Sequence, residues 1–253
     1  SFQLERARDF KPKVAVILNF SCNHLDRHKD MGEYLEAKKR IYMNQDKDDY
    51  LVLNADDKTV FSLKDSACSK VAFFNKAMNS NPNYAAAQAV GGILGADEKL
   101  CQQVFADFKG VEHRLEQVAR IDEITFINDS KATTIDATIW ALTNTPKPII
   151  LIAGGREKGN DYRLILDLVR EKVKRAILIG ESGERIVQAL SPIVSTQKAK
   201  TMEEAVKAAF SLARPGDCVL LSPMCKSFDM FTDYEERGRI YKKAVSQLKK
   251  EAA

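Results

Sequence analysis

Three segments of the sequence combine a strand-like apolar run with a polar cluster that could bind an anion. They read NDSKATTID (128–136), AGGREKGND (153–161) and LSPMCKSFD (221–229). Ammonium and hydroxyl groups are common protein donors to carboxylates and phosphates. The clusters supply these groups through Lys131, Lys158, Lys226, Ser130, Thr133, Ser222 and Ser227. The residue types therefore predict a site for a carboxylate or a phosphate.

An alternative is that each cluster is an ordinary turn between a strand and a helix. Asp129, Ser130 or Ser227 would then cap a helix, and the lysines would only be solvated. The glycine pair of GGREKG could let backbone N–H groups approach an anion. It is not a GxGxxG fingerprint, and no GxxxxGK[ST] motif occurs in the 253 residues, which argues against a self-contained ATP site. Three clusters together favour the anion site.

Alternating apolar and helical patterns predict how the clusters are positioned. Strand-like runs lie at 124–129, 148–155, 175–180, 192–195 and 217–223. Helical patterns lie at 131–143, 161–173, 183–190, 202–214 and 229–249. This alternation predicts an open, mostly parallel sheet, in which ligands bind beyond the carboxyl ends of the strands.

The preceding part of the chain predicts a second, smaller α/β unit. Its strand-like runs lie at 13–20, 49–57 and 70–75, and its helical patterns at 32–45 and about 83–94. The helix at 32–45 would place Tyr34, Ala37, Ile41 and Tyr42 on one face. A change of pattern at Gly110 predicts a boundary between domains 1–110 and 111–253.

Composition limits the class of protein. With 45% hydrophobic and 29% charged residues the chain is typical of a globular protein. Its mild net charge of +4 predicts neither a nucleic-acid nor a membrane partner. Five widely spaced cysteines, with no zinc-type spacing and no signal peptide, predict reduced thiols in the cytoplasm. The start at Ser1 suggests a chain that begins inside a longer protein.

Five strings of the sequence resemble motifs of the Mur ligase family. ILNFSCNHLDRH with EYLEAKKRIY (17–42) resembles ILNxxxDHxDRH followed by YxxAKxRIY, and GVEHRLE (110–116) resembles GxxHRxE. The other three are FINDSKATTIDATIWAL, GGREKGNDY and LLSPMCKSFDMFTDYEERG, which resemble NDSKATN, GGxxKGxDF and LLSPACASFDxFxxFExRG. The last three are particular to the branch of the family that adds D-glutamate.

The resemblance implies an α/β fold made of a partial P-loop-type central ATPase domain and a Rossmann-like C-terminal domain. Domain 1–110 would be the remnant of the ATP-binding domain, with the P-loop lying before Ser1. Domain 111–253 would bind D-glutamate and nucleotide. The implied cofactors are ATP and Mg²⁺, and the implied partners are UDP-N-acetylmuramoyl-L-alanine, D-glutamate and ATP. The implied protein is a cytoplasmic monomer of cell-wall synthesis.

The resemblance also implies roles for particular residues. His24 would bind magnesium, and Lys38, once carbamylated, would hold a second magnesium and the acyl phosphate. Lys131 would lie beside two ATP-contacting residues. The implied ATP-contacting residues are Arg114, Asp129 and, near the adenine, Asn83. The implied D-glutamate-contacting residues are Thr133, Lys158, Ser227, Phe228 and Tyr234.

Three departures from the family pattern affect these roles unequally. Asn23 replaces an acidic residue before His24, which removes a negative charge near the expected metal. Tyr234 replaces a common phenylalanine, and Lys226 adds a positive charge beside Ser227. The residues leave other readings open for His24, Lys38 and Arg114, which could be surface residues. The rival functions are another Mur-type amino-acid ligase and a fragment that binds amino acid or nucleotide without turnover.

Overall fold

The chain forms two compact units, Ser1–Lys109 and Gly110–Ala253. The structure is a computed structural model that describes residues 1–21, 27–157 and 159–251. The described cysteines Cys68, Cys101, Cys218 and Cys225 are free thiols. In this part of the chain, every helix is too short or too polar to cross a lipid bilayer.

The first unit alternates short strands with helices. Its strands are β1 Val14–Ile17, β2 Tyr50–Asn54 and β3 Lys70–Phe74. Its α-helices are α1 Met31–Lys39, α2 Lys58–Ser62, α3 Pro82–Ile93 and α4 Glu98–Asp107. Two 3₁₀ helices lie at Leu4–Arg6 and Leu63–Ser66.

Local sequence explains where the helices of the first unit begin. Asp30, Asp57, Asn81 and Asp97 each accept a backbone N–H bond at the start of α1, α2, α3 and α4. Asparagine and aspartate favour this position because their side chains satisfy N–H groups that have no partner within the helix.

The sheet of the first unit is parallel, in the order β1-β2-β3. Leu51 and Leu53 of the central strand pack into one apolar cluster with Tyr42 and Val60. Val52 points to the opposite face, where the second cluster contains Phe74, Ala85 and Ala86. Alternate residues of β2 therefore hold helices against both faces of the sheet.

The second unit is larger. Its strands are β4 Glu116–Ile121, β5 Ile124–Asn128, β6 Ile149–Gly154, β7 Val173–Ile179, β8 Thr196–Lys198 and β9 Cys218–Leu221. Its α-helices are α5 Ile135–Asn144, α6 Leu166–Lys172, α7 Gly183–Leu190, α8 Met202–Leu212 and α9 Tyr234–Glu251. A 3₁₀ helix at Tyr162–Ile165 precedes α6.

These elements form three layers around a six-stranded sheet of order β4-β5-β9-β6-β7-β8. Only β4 at one edge is antiparallel to its neighbour. Ile149 and Leu151 of β6 pack with residues of α5, α6 and α7. Ile150 and Ile152 pack on the other face with residues of α8 and α9. A strand buried on both faces explains the continuous apolar run of β6.

The predicted α/β fold with a mostly parallel sheet is confirmed, but some elements differ from the prediction. Helix α1 ends at Lys39, well before residue 45. No strand lies at 192–195; residues 191–193 form a turn, and β8 follows at Thr196–Lys198. Because β8 is a half-exposed edge strand, it needs no apolar run, whereas Val194 is buried in the core.

Candidate functional site

The three polar clusters begin at the carboxyl ends of neighbouring strands. Asp129 follows β5, Gly155 follows β6 and Ser222 follows β9. Strand β9 pairs in parallel with both β5 and β6, so its cluster lies between the other two. We call the segments 129–134, 155–161 and 222–233 the β5, β6 and β9 loops.

Backbone hydrogen bonds join the three loops. The Gly154 N–H at the end of β6 donates to the Pro223 carbonyl at 3.0 Å. The Met224 N–H donates to the Ala132 carbonyl of the β5 loop at 2.9 Å. The β9 loop is therefore bonded on both sides, which fixes the spacing of the clusters at this edge.

Gly155 allows the β6 and β9 loops to approach closely. Its φ of +145° lies in a region that residues with a side chain rarely adopt. A Cβ atom at this position would lie 2.3 Å from the Lys226 carbonyl oxygen and 3.1 Å from Arg237 Nη1. The Arg156 N–H donates to the same carbonyl at 2.8 Å. A larger residue would push the loops apart.

Asp129 is a buried carboxyl group at the start of the β5 loop. Its Oδ1 accepts a hydrogen bond from the Leu115 N–H at 3.2 Å, and its Oδ2 accepts one from Ser222 Oγ at 3.0 Å. Burial raises the pKa of Asp129 to about 7, although both hydrogen bonds and the nearby Arg114 favour the charged form. Its predicted contact with ATP stays a prediction.

Lys131 lies against Tyr234, the first residue of α9. The ammonium nitrogen is 3.5 Å from the centroid of the tyrosine ring, in a cation–π contact. The Tyr234 carbonyl accepts a hydrogen bond from Ser130 Oγ at 2.7 Å. Thr133 is half-buried on the same loop, where its N–H donates to the Lys131 carbonyl. The β5 loop thus brings Lys131, Thr133 and Tyr234 to one place.

Ser227 and Phe228 differ in their exposure although they are adjacent. Ser227 is 2% exposed, and its carbonyl oxygen accepts the N–H groups of Met230 and Phe231. Phe228 is 57% exposed. A large exposed aromatic side chain next to a polar edge is available to cover a ligand.

Ser130 and Ser222, which were predicted as hydroxyl donors to a ligand, bind other groups of the protein. Ser222 Oγ donates to Asp129 and contacts Thr138 Oγ1 at 2.9 Å. Ser130 Oγ donates to the Tyr234 carbonyl and accepts from Arg237 Nε at 3.0 Å. Both serines are fully buried, so they hold loops together at this edge. The predicted contacts of Thr133 and Ser227 with a ligand stay predictions.

The segment that carries Arg114 packs on α9. His113 and Leu115, on either side of Arg114, have φ values of +66° and +43°. A Cβ atom on Gly238 would lie 2.1 Å from His113 Nδ1, so glycine is required for this contact. His113 is buried and Arg114 is exposed. The buried histidine anchors the segment, and the exposed guanidinium is available to an anion.

A cluster beside this segment is an ion-pair network and not a metal site. Glu112, His113 and Glu116 are close enough together to hold a metal ion. However, Lys242 Nζ donates to Glu112 at 2.9 Å and to Glu116 at 2.6 Å. Because the ammonium already pairs with both carboxylates, a second cation would have to compete with it here.

Lys38 and Asn83 belong to the first unit. Lys38 is half-buried on α1, with its ammonium nitrogen 5.0 Å from the centroid of the Tyr34 ring. Asn83 is exposed in the first turn of α3, and its N–H donates to the capping side chain of Asn81. Their predicted roles at a metal and at the adenine stay predictions.

The predicted positions of His24 and Lys158 lie outside the described residues. Mg²⁺ prefers oxygen ligands. Of the two predicted metal-binding residues, only Lys38 is described, and an ammonium group offers no ligand atom before it is carbamylated. Unmodified Lys38 therefore does not bind Mg²⁺ by itself.

Sequence reasoning assigned no role to Arg237, which the structure places at the centre of the loops. Its guanidinium is fully buried and donates hydrogen bonds to the β5 and β9 loops. The position follows Ser130 by 107 residues. Its proximity to the candidate residues depends on how α9 returns to the sheet, which no local pattern predicts.

Two family models match the chain, one for each part. The Mur ligase middle domain matches residues 1–101, and the Mur ligase, glutamate ligase domain, matches residues 113–225. The two matched ranges cover most of the chain in the order in which the motifs occur.

Curated relatives are similar over nearly the whole chain. The UDP-N-acetylmuramoylalanine--D-glutamate ligase of Thermoanaerobacter sp. (strain X514) is 39% identical, over 99% of this chain and 64% of the relative. The ligase of the same name from Pelotomaculum thermopropionicum is 40% identical, over 99% of this chain and 63% of the relative. The chain thus spans just under two thirds of the length of these relatives.

Solved structures share the fold at low sequence identity. MurF ligase from Thermotoga maritima, in complex with ADP, has a TM-score of 0.71 at 16% sequence identity. The match covers 94% of this chain and 63% of the MurF chain. MurC from Thermotoga maritima has a TM-score of 0.68 at 17% identity and covers 96% of this chain and 61% of its own. The fold is therefore shared with these ligases.

Proposed function

The chain belongs to the Mur ligase family, and we propose that it carries the D-glutamate-binding part of a ligase acting on UDP-N-acetylmuramoyl-L-alanine with ATP. The curated relatives carry the name of this activity. The proposal places the protein in the cytoplasm as a monomer that acts on small molecules and not on nucleic acid or membrane.

One observation carries the proposal, namely that the β5, β6 and β9 loops meet at one sheet edge. The bonds between Gly154 and Pro223, and between Met224 and Ala132, hold these loops side by side. D-Glutamate has two carboxylates, which need separate donors at a fixed spacing. In the proposed site Thr133, Lys158 and Ser227 supply these donors.

Other residues complete the proposed D-glutamate pocket and the nucleotide site. Phe228 and Tyr234 would cover the amino acid. Arg114 and Lys131 would face the phosphates of ATP, with Asp129 near the ribose and Asn83 near the adenine. His24 and carbamylated Lys38 would hold Mg²⁺, which would supply neutralisation of phosphate charge when it is bound.

The proposed reaction has two steps. A carboxylate oxygen of the nucleotide-linked alanine attacks the γ-phosphorus of ATP, so that ADP leaves and an acyl phosphate forms. The amine of D-glutamate then attacks the acyl carbon, loses a proton and expels phosphate. Arg114 and Lys131 would stabilise the negative charge of the transferred phosphoryl group, and the loop donors would orient the amine.

Titration of the 253-residue chain with free amino acids tests the substrate. We expect saturable calorimetric binding of D-glutamate, and binding about tenfold weaker or more for L-glutamate, L-alanine and diaminopimelate, since these misplace or lack one carboxylate. Ser227→Ala is expected to weaken D-glutamate binding. Ser246→Ala, which removes only a hydroxyl bonded to the Lys243 carbonyl on α9, is the matched control. A preference for another amino acid would refute the proposed substrate.

A second candidate function is binding of amino acid or nucleotide by these 253 residues without turnover. It is favoured by the absence of a GxxxxGK[ST] motif from the sequence. Phosphate release by the 253-residue chain, with ATP, Mg²⁺, D-glutamate and the nucleotide substrate together, separates the two functions. Release that depends on D-glutamate would exclude the second candidate, whereas D-glutamate binding without release would favour it.

A further inference from the structure

Arg237 on α9 is a charged side chain in the interior of the second unit. Its accessible surface is 0%, and it is the largest fully buried side chain among the described residues. Helix α9 packs against one face of the sheet through Tyr241, Ala244 and Val245. Arg237 lies one turn before this apolar stripe, so that the guanidinium reaches the carboxyl end of the sheet.

The guanidinium binds two loops through separate nitrogen atoms. Nε donates to Ser130 Oγ at 3.0 Å, and Nη2 donates to the Ser130 carbonyl at 2.8 Å. Nη1 donates to the Cys225 carbonyl at 3.1 Å. The planar fork of arginine fixes these directions relative to one another. The β5 and β9 loops are therefore held at a set distance and angle.

The third loop also meets this side chain. A Cβ atom on Gly155 would approach Arg237 Nη1 to 3.1 Å, so the backbone of the β6 loop packs directly on the guanidinium. The three loops carry Thr133, Lys158 and Ser227, which are the residues proposed to receive D-glutamate. One buried side chain thus contacts each loop that bears a proposed donor.

Stability alone does not account for an arginine at this position. Burial lowers the pKa of Arg237 to about 10, which still leaves the group charged at neutral pH. Removing a cation from water is costly, and apolar residues of similar size are often at least as stabilising in such positions. A hydrogen-bonding fork supplies something that an apolar side chain cannot, namely defined directions between the β5 and β9 loops.

We propose that Arg237 is a positioning residue for the amino-acid site, which sets the relative positions of the β5, β6 and β9 loops through its guanidinium. This inference rests on the proposed function, because it concerns the same D-glutamate pocket. Arg237 does not itself contact the amino acid. It acts through Ser130, Gly155 and Cys225 on the neighbouring donors.

The test compares D-glutamate binding by wild type, Arg237→Lys, Arg237→Met and Tyr241→Phe. Tyr241→Phe removes a buried hydrogen bond from the same helix, which Tyr241 Oη donates to the Val219 carbonyl at 3.1 Å. Neither Tyr241 nor Val219 belongs to the three loops, so the loss of this bond controls for a general loss of stability. All proteins are measured at a temperature where circular dichroism shows them to be folded.

We expect Arg237→Met to weaken D-glutamate binding about 10- to 100-fold, since displacements of about 1 Å in a binding site have effects of this size. Arg237→Lys is expected to lie between Arg237→Met and wild type, because it keeps the charge but loses the fork. Tyr241→Phe is expected to bind like wild type. If Arg237→Met does not fold, the D-glutamate affinities of Arg237→Lys and Tyr241→Phe are compared instead, and a weaker affinity of Arg237→Lys supports the positioning role.

Equal affinity of the Arg237 variants and Tyr241→Phe would overturn the inference. If wild type itself does not bind D-glutamate, the proposed function fails, and amide NMR of the ligand-free chain then decides the positioning role alone. We expect Arg237→Lys to shift the amide signals of Lys131, Gly155 and Ser227 together, and Tyr241→Phe to leave them in place. Unchanged signals in Arg237→Lys, or equal shifts in Tyr241→Phe, would contradict the role.

Discussion

Strand β6 of the second unit buries all six of its residues, whereas β3 of the first unit buries only Phe74 completely. Helices cover both faces of β6, and the loop after it is bonded to its neighbours. The candidate residues of the first unit, Lys38 and Asn83, instead lie on helices at half-buried and exposed positions. The second unit therefore fixes its candidate residues through tertiary contacts, and changes there should have larger effects.

The largest difference between the two units is expected in the change in unfolding free energy when a glycine in each unit is replaced by alanine. Gly155→Ala must adopt a φ of +145° and would place Cβ 2.3 Å from the Lys226 carbonyl oxygen. We expect it to lower the free energy of unfolding by about 4 kcal/mol or more, since strain and a backbone clash add. Urea denaturation followed by circular dichroism measures this change.

Gly92→Ala is the matched substitution in the first unit. Gly92 lies in α3, and a Cβ atom there would meet nothing within 4 Å. Alanine is the better helix former, so we expect Gly92→Ala to raise the free energy of unfolding by about 0.5–1 kcal/mol. A Gly155→Ala variant as stable as wild type would remove the basis for the contrast between the two units.

Carboxyl groups in the two units should respond to pH in opposite directions. The pKa of Asp129 is raised by burial from 3.8 to about 7. Between these values the folded protein holds a proton that the unfolded chain has lost, so stability falls as pH rises through this window. We expect the free energy of unfolding to fall by roughly 2–4 kcal/mol from pH 4 to pH 7 because of this group, at about 1.4 kcal/mol per pKa unit.

Asp129→Asn isolates this contribution when its unfolding profile is subtracted from that of wild type. In the first unit, the hydrogen bond from Lys11 lowers the pKa of Asp46. Its contribution is present above the unfolded pKa and is lost as pH falls, so Asp46→Asn should be less stable than wild type near neutral pH and approach the stability of wild type in acid. A difference profile for Asp129→Asn that is flat between pH 4 and pH 7 would contradict the buried, protonated carboxyl group.

A smaller effect is expected where α9 packs on the segment that carries Arg114. Gly238→Ala would place Cβ 2.1 Å from His113 Nδ1. We expect a loss of about 2 kcal/mol in unfolding free energy, because overpacking exceeds the gain in helix propensity. Thermal unfolding monitored by calorimetry measures it.

The double variant His113→Ala/Gly238→Ala tests whether this contact is the cause. Removing the imidazole gives the new methyl group space. The double variant should therefore lose less unfolding free energy than the sum of the losses in the two single variants. Strict additivity would show that Gly238 is needed for another reason.

Much of the fold was predictable because the central strands β5, β6 and β9 of the second unit are largely apolar. The run from Ile149 to Gly154 is buried on both faces and reads as a strand without knowledge of its neighbours. Strand β8 could not be predicted in this way, since its residues Thr196–Lys198 are polar and half-exposed at the sheet edge. Tertiary pairing with β7, and not local hydrophobicity, makes them a strand.

The amino-acid sequence alone is enough to place polar clusters after three strands and to match those clusters to Mur ligase motifs. The polar groups that hold the loops together are evident only in the folded chain, because their partners are distant in sequence. The hydroxyls of Ser130 and Ser222 bind Arg237 and Asp129 inside the protein, which no local pattern around the two serines predicts. Arg237 and Ser130 are 107 residues apart, and only the packing of α9 on the sheet brings the guanidinium to that hydroxyl.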